Sequence, residues 1–282
     1  MGGVSASWLA AAQAAQSDDW DAVHGPNGLL TPWIAPRVPR RVAELISRLG
    51  SSRRLEAGEY IYAPHDRVDR LVLVRNGLTA RAVVDPASSQ PEAIAISPPG
   101  RLGSGNLNFF SGRPCAGRYF ALCRSEIVSC PQSLIRAMGK SDPELGLLLV
   151  HYFELCNLSD RLGFASQVML DVPTRLKTLL LSWAVSFGHE AERADASGRW
   201  IRMPALMARG DMARVIHASL MSVDRLLGEW RQAGRILREG EVVWVRPELL
   251  HDAHAWLCRT EEETSLHPRP RELCEVLRPH SS

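Results

Sequence analysis

Residues 208–236, ARGDMARVIHASLMSVDRLLGEWRQAGRI, decide how this chain is read. Met212, Val215 and Ile216 fall on one stripe at helical spacing, and Ala213 leaves room for a second helix to pass closely. His217 and Ala218 form the turn. Ser219 stands where a helix needs a cap, since its hydroxyl can take a free backbone N–H. The second helix buries Val223, Leu226, Leu227 and Trp230 at spacings of three and four. Its other face offers Leu220, Met221, Ser222, Asp224, Arg225 and Arg231. An apolar stripe anchors a recognition helix, and an exposed face near its N-terminus reads bases. Next, Leu237 and the run Val242–Val245 flank the turn signal Glu239-Gly240, which predicts a small hairpin, the wing of a winged helix-turn-helix.

Charge separates this reading from an ordinary buried helical hairpin. Between Arg199 and Arg246 stand nine arginines and five acids, while the whole 282-residue chain is only +2. A basic element on a near-neutral protein is the footprint of phosphate binding. The rest of the composition, 45% hydrophobic and 23% charged, suits a soluble protein of two domains. No apolar run approaches a membrane span, so no membrane partner is expected. The Ala-rich N-terminus has no Lys or Arg before its apolar part, which argues against a secretory signal. Six scattered cysteines without a CxxC pair suit reduced thiols and a cytoplasmic location. There is no Gly-Lys-Ser/Thr phosphate loop, no HExxH and no GxSxG, so no enzyme is expected.

Upstream, the period changes twice. Residues 1–36 are read as a tail with one short helix around Trp8–Gln16. A helix near Arg41–Leu49 precedes strand-like runs at Tyr60–Tyr62, Arg70–Arg75, Leu78–Val84, Ala93–Ile96 and Tyr119–Ile127, with a short helix at Leu134–Met138. Many short strands broken by Gly and Pro predict a small antiparallel barrel or roll over residues 37–141. Residues 142–169 form a long helix in which Leu148, Leu155, Leu162 and Met169 repeat every seven. A strict heptad favours a coiled-coil seam with a second copy, here Leu148, Tyr152, Leu155, Leu162 and Met169, over the alternative of a long helix packed on its own roll. Residues 170–258 make the winged helix-turn-helix, with Asp171 capping its first helix, HEAERADASGR as a polar loop and WIRMP as a short strand. Residues 259–282 are read as a second tail.

This order of parts resembles the Crp–Fnr family of bacterial transcription regulators. LEAGEYIYAPHDRVDRLVLVRNGLTARAVV (55–84) is similar to the family's first strands, LDVPTRLKTLLLSWA (170–184) to the helix after its dimer helix, and 208–236 to its DNA-binding motif. The likeness covers about residues 40–250. It implies an α+β fold: an N-terminal antiparallel β-roll of the cyclic-nucleotide-binding type, a long dimerisation helix and a C-terminal winged helix-turn-helix. It further implies a homodimer whose partners are double-stranded DNA and RNA polymerase.

The resemblance also supplies candidate sites. Arg209 and Ser219 are expected on phosphate, Arg238 on the wing, Ser222 and Arg225 at base edges, and Leu220 and Met221 against thymine methyls. In the family's nucleotide-binding members a Gly-Glu-Leu-Gly turn and a following Arg hold ribose and phosphate. Here the turn reads Gly105-Asn106-Leu107-Asn108 and the Arg is Arg118, about two positions displaced. Asn106, Arg118, Asp160 and Arg161 are therefore the candidate effector residues, and the effector is expected to be something other than cyclic AMP. With no Cys before Cys115, the family's Fe–S sensing is not expected. Haem sensing through His65, His151, Cys115 or Cys123 stays open, although no local spacing supports it. A metal site is not expected, and the cofactor is left unassigned. The alternative from another class is a sensor or interaction protein that does not bind DNA, in which Leu220 and Met221 mark a lost reading surface.

Overall fold

The computed structural model describes residues 30–84, 91–104, 107–115, 117–193, 196–205 and 207–264. The expected helix at 8–16, the candidate Asn106 and residues 265–282 lie outside the described residues.

Two four-stranded antiparallel sheets make the roll. The first runs β1 (Ser51–Leu55), β8 (Ser125–Pro131), β3 (Arg70–Asn76), β6 (Leu102–Ser104). The second runs β2 (Tyr60–Tyr62), β7 (Arg118–Ala121), β4 (Thr79–Val84), β5 (Pro91–Ser97). Strand β3, RLVLVRN, is buried from Leu71 to Val74 because neighbours cover both its faces. Gly77 turns the chain from β3 into β4 at φ +85, and a Cβ there would fall 2.3 Å from the Ser125 hydroxyl. The expected strand Tyr119–Ile127 is two strands, β7 and β8, broken by the bend at residues 122–124. Strand β1 gave no signal, since four of the five residues in SSRRL are exposed and nothing alternates. Helix α1 (Arg40–Leu49) closes one side of the roll with Val42, Leu45 and Ile46. Short helices α2 (Leu107–Ser111) and α3 (Gln132–Ser141) follow.

Helix α4 (Pro143–Met169) starts where Asp142 accepts a hydrogen bond from Leu145 N, with Pro143 in the first turn. The heptad assignment on this helix needs correction. Tyr152, Leu155 and Leu162 are buried within the chain itself, Leu148 is partly buried, and Met169 is exposed. Tyr152 belongs to the core that also holds Phe109, Leu145, Leu149 and Phe153. The apolar residues left open are Leu147, Val150, Phe164 and Val168, which with exposed Glu154, Asn157 and Arg161 form another heptad stripe on the same helix.

Helix α5 (Val172–Phe187) is capped by Asp171, which accepts from Thr174 N at 2.9 Å. It leads into a third antiparallel sheet, ordered β11 (Ile236–Glu239), β12 (Val242–Val245), β10 (Ala196–Pro204), β9 (His189–Arg193). The segment expected as a polar loop thus contributes β9 and the start of β10, paired from His189 opposite Arg202. Between β10 and β11 stand α6 (Arg209–Val215) and α7 (Leu220–Gln232). Helix α8 (His251–Thr264) packs on α5 and runs six residues past the boundary expected at residue 258. No helix among the described residues is long and apolar enough to cross a membrane.

The largest correction concerns the N-terminal tail. Residues 30–38 are a strap lodged in the core: Trp33 is 1% exposed and Ile34 2%. The strap pairs in parallel with the edge of β5, with Ile96 N donating to Trp33 O and Ala35 N to Ile96 O. The Ser159 hydroxyl on α4 donates to Thr31 O at 2.6 Å and reaches Ile34 O at 3.2 Å. One turn on, Gly163 lets the Trp33 ring lie against the helix; a Cβ at Gly163 would sit 2.9 Å from it. Buried Arg101 donates to Ala35 O, and burial with nearby Arg37 pulls its pKa down to about 10, which leaves it charged at neutral pH. The outer face of the second sheet, through Ala80 and Ile96, then joins Trp33, Leu180, Val215 and Ile216 in one apolar cluster. Roll and helix-turn-helix therefore share a core. Removing a buried aromatic ring costs about 3–5 kcal/mol. Trp33→Ala is expected to lower the melting temperature by roughly 10 °C, and thermal unfolding by circular dichroism checks it.

Candidate nucleic-acid interface

Helices α6 and α7 are held together by Met212, Ala213, Val215, Val223, Leu226, Leu227 and Trp230, all buried. Between them His217 takes φ +50, a left-handed conformation that favours glycine. Arg175 on α5 clamps this turn, donating to Ile216 O at 2.8 Å and His217 O at 3.2 Å. Gln167 on α4 donates to Val215 O at 3.3 Å. The turn is thus hydrogen-bonded directly to the end of the long helix and the start of the next.

Ser219 caps α7 as its sequence position implies: its hydroxyl oxygen accepts from Ser222 N at 3.1 Å and lies 2.8 Å from the Ser222 hydroxyl. This ties Ser222, a candidate base reader, to the cap. Leu220 and Met221 stand at the tip, 50% and 78% exposed. Two large apolar side chains presented to water at a helix N-terminus cost solvation that nothing in the chain's own packing recovers.

The candidate cations are loosely paired. Arg225 folds back onto Glu229 at 2.6 Å, and Arg209 reaches Asp224 on α7 at 2.8 Å. All four side chains are between 42% and 60% exposed, so each pair is worth well under ~1 kcal/mol and opens readily to a phosphate or base. Arg209 also neutralises the acid that lies closest to the tip of α7. Arg238, on the wing strand β11, bonds Gly240 O at 3.1 Å. Arg209, Arg231 and Arg238 rim a cleft of about 290 Å³ floored by Met207, Met212 and Leu227. The sequence places Arg231 on the exposed face of α7 without marking it as a contact; the wing beside it makes it part of the basic rim. Not every arginine in the basic segment faces this way. Arg246 stacks on Trp200 with its guanidinium carbon 4.0 Å from the ring centre, and Arg202 lies over Trp244 at 5.9 Å. These two brace the sheet through cation–π contacts.

The three candidate effector residues that are described, Arg118, Asp160 and Arg161, do not converge. Arg118 lies over the ring of Tyr60 at 5.8 Å, and Arg161 is exposed on α4. Asp160 points into the roll and meets Arg81 of β4, a residue that no sequence signal marks. Among the candidate haem ligands, Cys115 is buried with its thiol donating to Gly117 O, while His65 and Cys123 are exposed and His151 lies on α4. No group of three or more His, Cys, Asp or Glu among the described residues is placed to hold a metal ion.

No family model matches the sequence, and no curated protein does. Solved structures do match. FixK2 from Bradyrhizobium japonicum superposes with a TM-score of 0.62 at 16% identity, over 72% of this chain and 96% of that one. TTHB099, a CRP-family transcriptional regulator from Thermus thermophilus, gives 0.56 at 17% identity, over 72% and 96%. A CooA mutant from Carboxydothermus hydrogenoformans gives 0.56 at 15% identity, over 76% and 90%. The chain has the α+β fold of the CRP/FNR-type regulators, and at these identities the likeness is one of fold.

Capping and turn geometry at α7 give two checks by chemical denaturation. Ser219→Ala is expected to cost about 0.5–2 kcal/mol by removing the cap. His217→Val is expected to cost at least as much, ~1–2 kcal/mol, because a β-branched side chain resists the left-handed turn that Arg175 clamps.

Proposed function

We propose that this chain is a cytoplasmic, non-enzymatic transcriptional regulator that binds double-stranded DNA as a homodimer and answers to a signal other than cyclic AMP. The observation that carries the reading is the exposed tip of α7, capped by Ser219 and set beside a wing and a cleft rimmed by Arg209, Arg231 and Arg238. Arg209, Ser219 and Arg238 meet phosphate; Ser222 and Arg225 face base edges; Leu220 and Met221 meet thymine methyls. The likeness of fold to a CRP-family transcriptional regulator supports a regulator role, and the reading includes a contact to RNA polymerase.

The copies pair through the stripe that the chain's own packing leaves open: Leu147, Val150, Phe164 and Val168, with Asn157 in the middle. An amide at such a position fixes register at some cost in stability. Val150→Glu with Phe164→Glu is expected to give a folded monomer by analytical ultracentrifugation. Leu155→Glu instead is expected to unfold the chain, because that side chain lies inside it. A double variant that stays dimeric would place the interface elsewhere.

Two copies present two recognition helices, so binding to a palindromic duplex with half-sites about one helical turn apart is expected. If each dimer makes ~6–10 phosphate contacts, affinity should fall roughly 10³-fold or more between 50 and 200 mM salt. Gel-shift selection that enriches no symmetric sequence, with affinity flat across salt, would favour the non-DNA-binding alternative.

Arg225→Ala is expected to relax sequence choice by ~1–3 kcal/mol, since a bidentate contact to guanine carries discrimination. Arg209→Ala is expected to weaken every duplex about equally, because phosphate contacts hold no sequence information. Competition between specific and scrambled duplexes separates the two.

A further inference from the structure

The roll contains a charge pair that the DNA-binding surface does not use. Arg81 projects from the inner face of β4, and its Nη2 meets the Oδ2 of Asp160 on α4; the side chains are 19% and 13% exposed. Tyr119, opposite Arg81 on β7, and Cys156, one turn before Asp160, line the same space. Burial pushes the Tyr119 hydroxyl and the Cys156 thiol each up to about 12, so both stay neutral at physiological pH. The space left around the pair is small, about 30 Å³. The strap forms part of its wall: Ala35 lines the cavity, and Ser159, the neighbour of Asp160, holds the Thr31 and Ile34 carbonyls.

A buried guanidinium needs acceptors for its N–H groups, and stripping the carboxylate from such a pair leaves an uncompensated charge. We propose that Arg81 is an anion site whose occupant is the chain's own Asp160 carboxylate, so that the roll is joined to α4 by an internal ion pair and takes no small anionic effector. An external anion would have to expel a carboxylate tethered in place at high effective concentration. It would also leave Asp160 largely buried without its partner. The proposal stands apart from DNA binding, and its test never measures DNA binding.

The experiment uses the full chain. Asp160→Gly removes the built-in anion and opens a space the size of formate beside Arg81. The variant is expected to melt roughly 10 °C below the parent in chloride buffer. Sodium formate or acetate at equal ionic strength should return several degrees of that loss in the variant and leave the parent unmoved. A variant as stable as the parent, or destabilised but blind to formate while chloride does as well, overturns the proposal. Should Asp160→Gly not fold, Arg81→Met with Asp160→Leu replaces the pair by apolar groups of similar size and is expected to fold with near-parental stability. Failure of that double variant overturns the internal-pair account as well. Calorimetry on the parent with formate, inorganic phosphate, cyclic AMP and cyclic GMP is expected to give no binding heat. Micromolar binding of any of them that Arg81→Met abolishes would show that Asp160 yields the site to a ligand.

Discussion

Ile96 has no solvent exposure, because strand β5 is covered on its outer face and along its edge, while neighbouring Ala95 is buried on the inner face. Inside, Ala95 and Ser97 line the cavity beside the Arg81–Asp160 pair. Outside, Ile96 and Ala80 enter the same apolar cluster as Val215 and Ile216 of the helix-turn-helix. Along the edge, the strap takes up the backbone N–H and C=O groups that an edge strand otherwise leaves bare. The sheet is therefore a partition with work on both sides. The strap cannot leave without uncovering β5 and breaking its contacts with Ser159 and Gly163 of α4, while separate bonds from Gln167 and Arg175 tie α4 and α5 to the helix-turn-helix.

What can be read from sequence here is what is local. The cap at Ser219, the stripe Val223, Leu226, Leu227, Trp230 and the wing around Glu239-Gly240 each depend on residues within a few positions of one another, and each stands where the spacing puts it. The strands of the roll with good alternation or long apolar runs are equally visible. Strand β1, with neither, is not, because it is recruited by a partner far along the chain: Ser51 pairs with Ser129. In the third sheet β9 pairs locally with β10, but its polar residues carry no apolar alternation to mark it. The strap escapes a sequence reading for a related reason. A stretch such as TPWIAPRVP has the composition of a linker, and only a docking surface made by residues 96, 159 and 163 turns it into core.

Helix α4 shows the same limit from the other side. Its periodicity of seven is plain, yet the helix is apolar over more than one face, and two heptad stripes compete. Leu155 and Leu162 lie on one; Val150 and Phe164 lie on the other. Periodicity reports that a helix is covered on some face but not by what. The choice is made by the roll and the strap, which claim the richer stripe and leave a poorer one, interrupted by Glu154, Asn157 and Arg161, open to water. Arg81 is invisible for a like reason: on its strand it is one arginine among small residues, and its meaning comes from an aspartate 79 positions away.

The strap has a consequence for how the chain is made. Thr31 and Ile34 leave the ribosome early, but the hydroxyl that holds them belongs to a residue 128 positions after Thr31. At ~5–20 residues per second, the strap waits on the order of 6–26 s before its seat exists. During that interval an apolar segment carrying Trp33 is unclaimed, and its prolines at positions 32, 36 and 39 keep it from folding into anything else. Docking has to come late, after α4 has been delivered. Before then the strap and the edge of β5 that it pairs with lack the seat on α4, so a nascent chain stalled short of residue 163 leaves both open to chaperones and proteases.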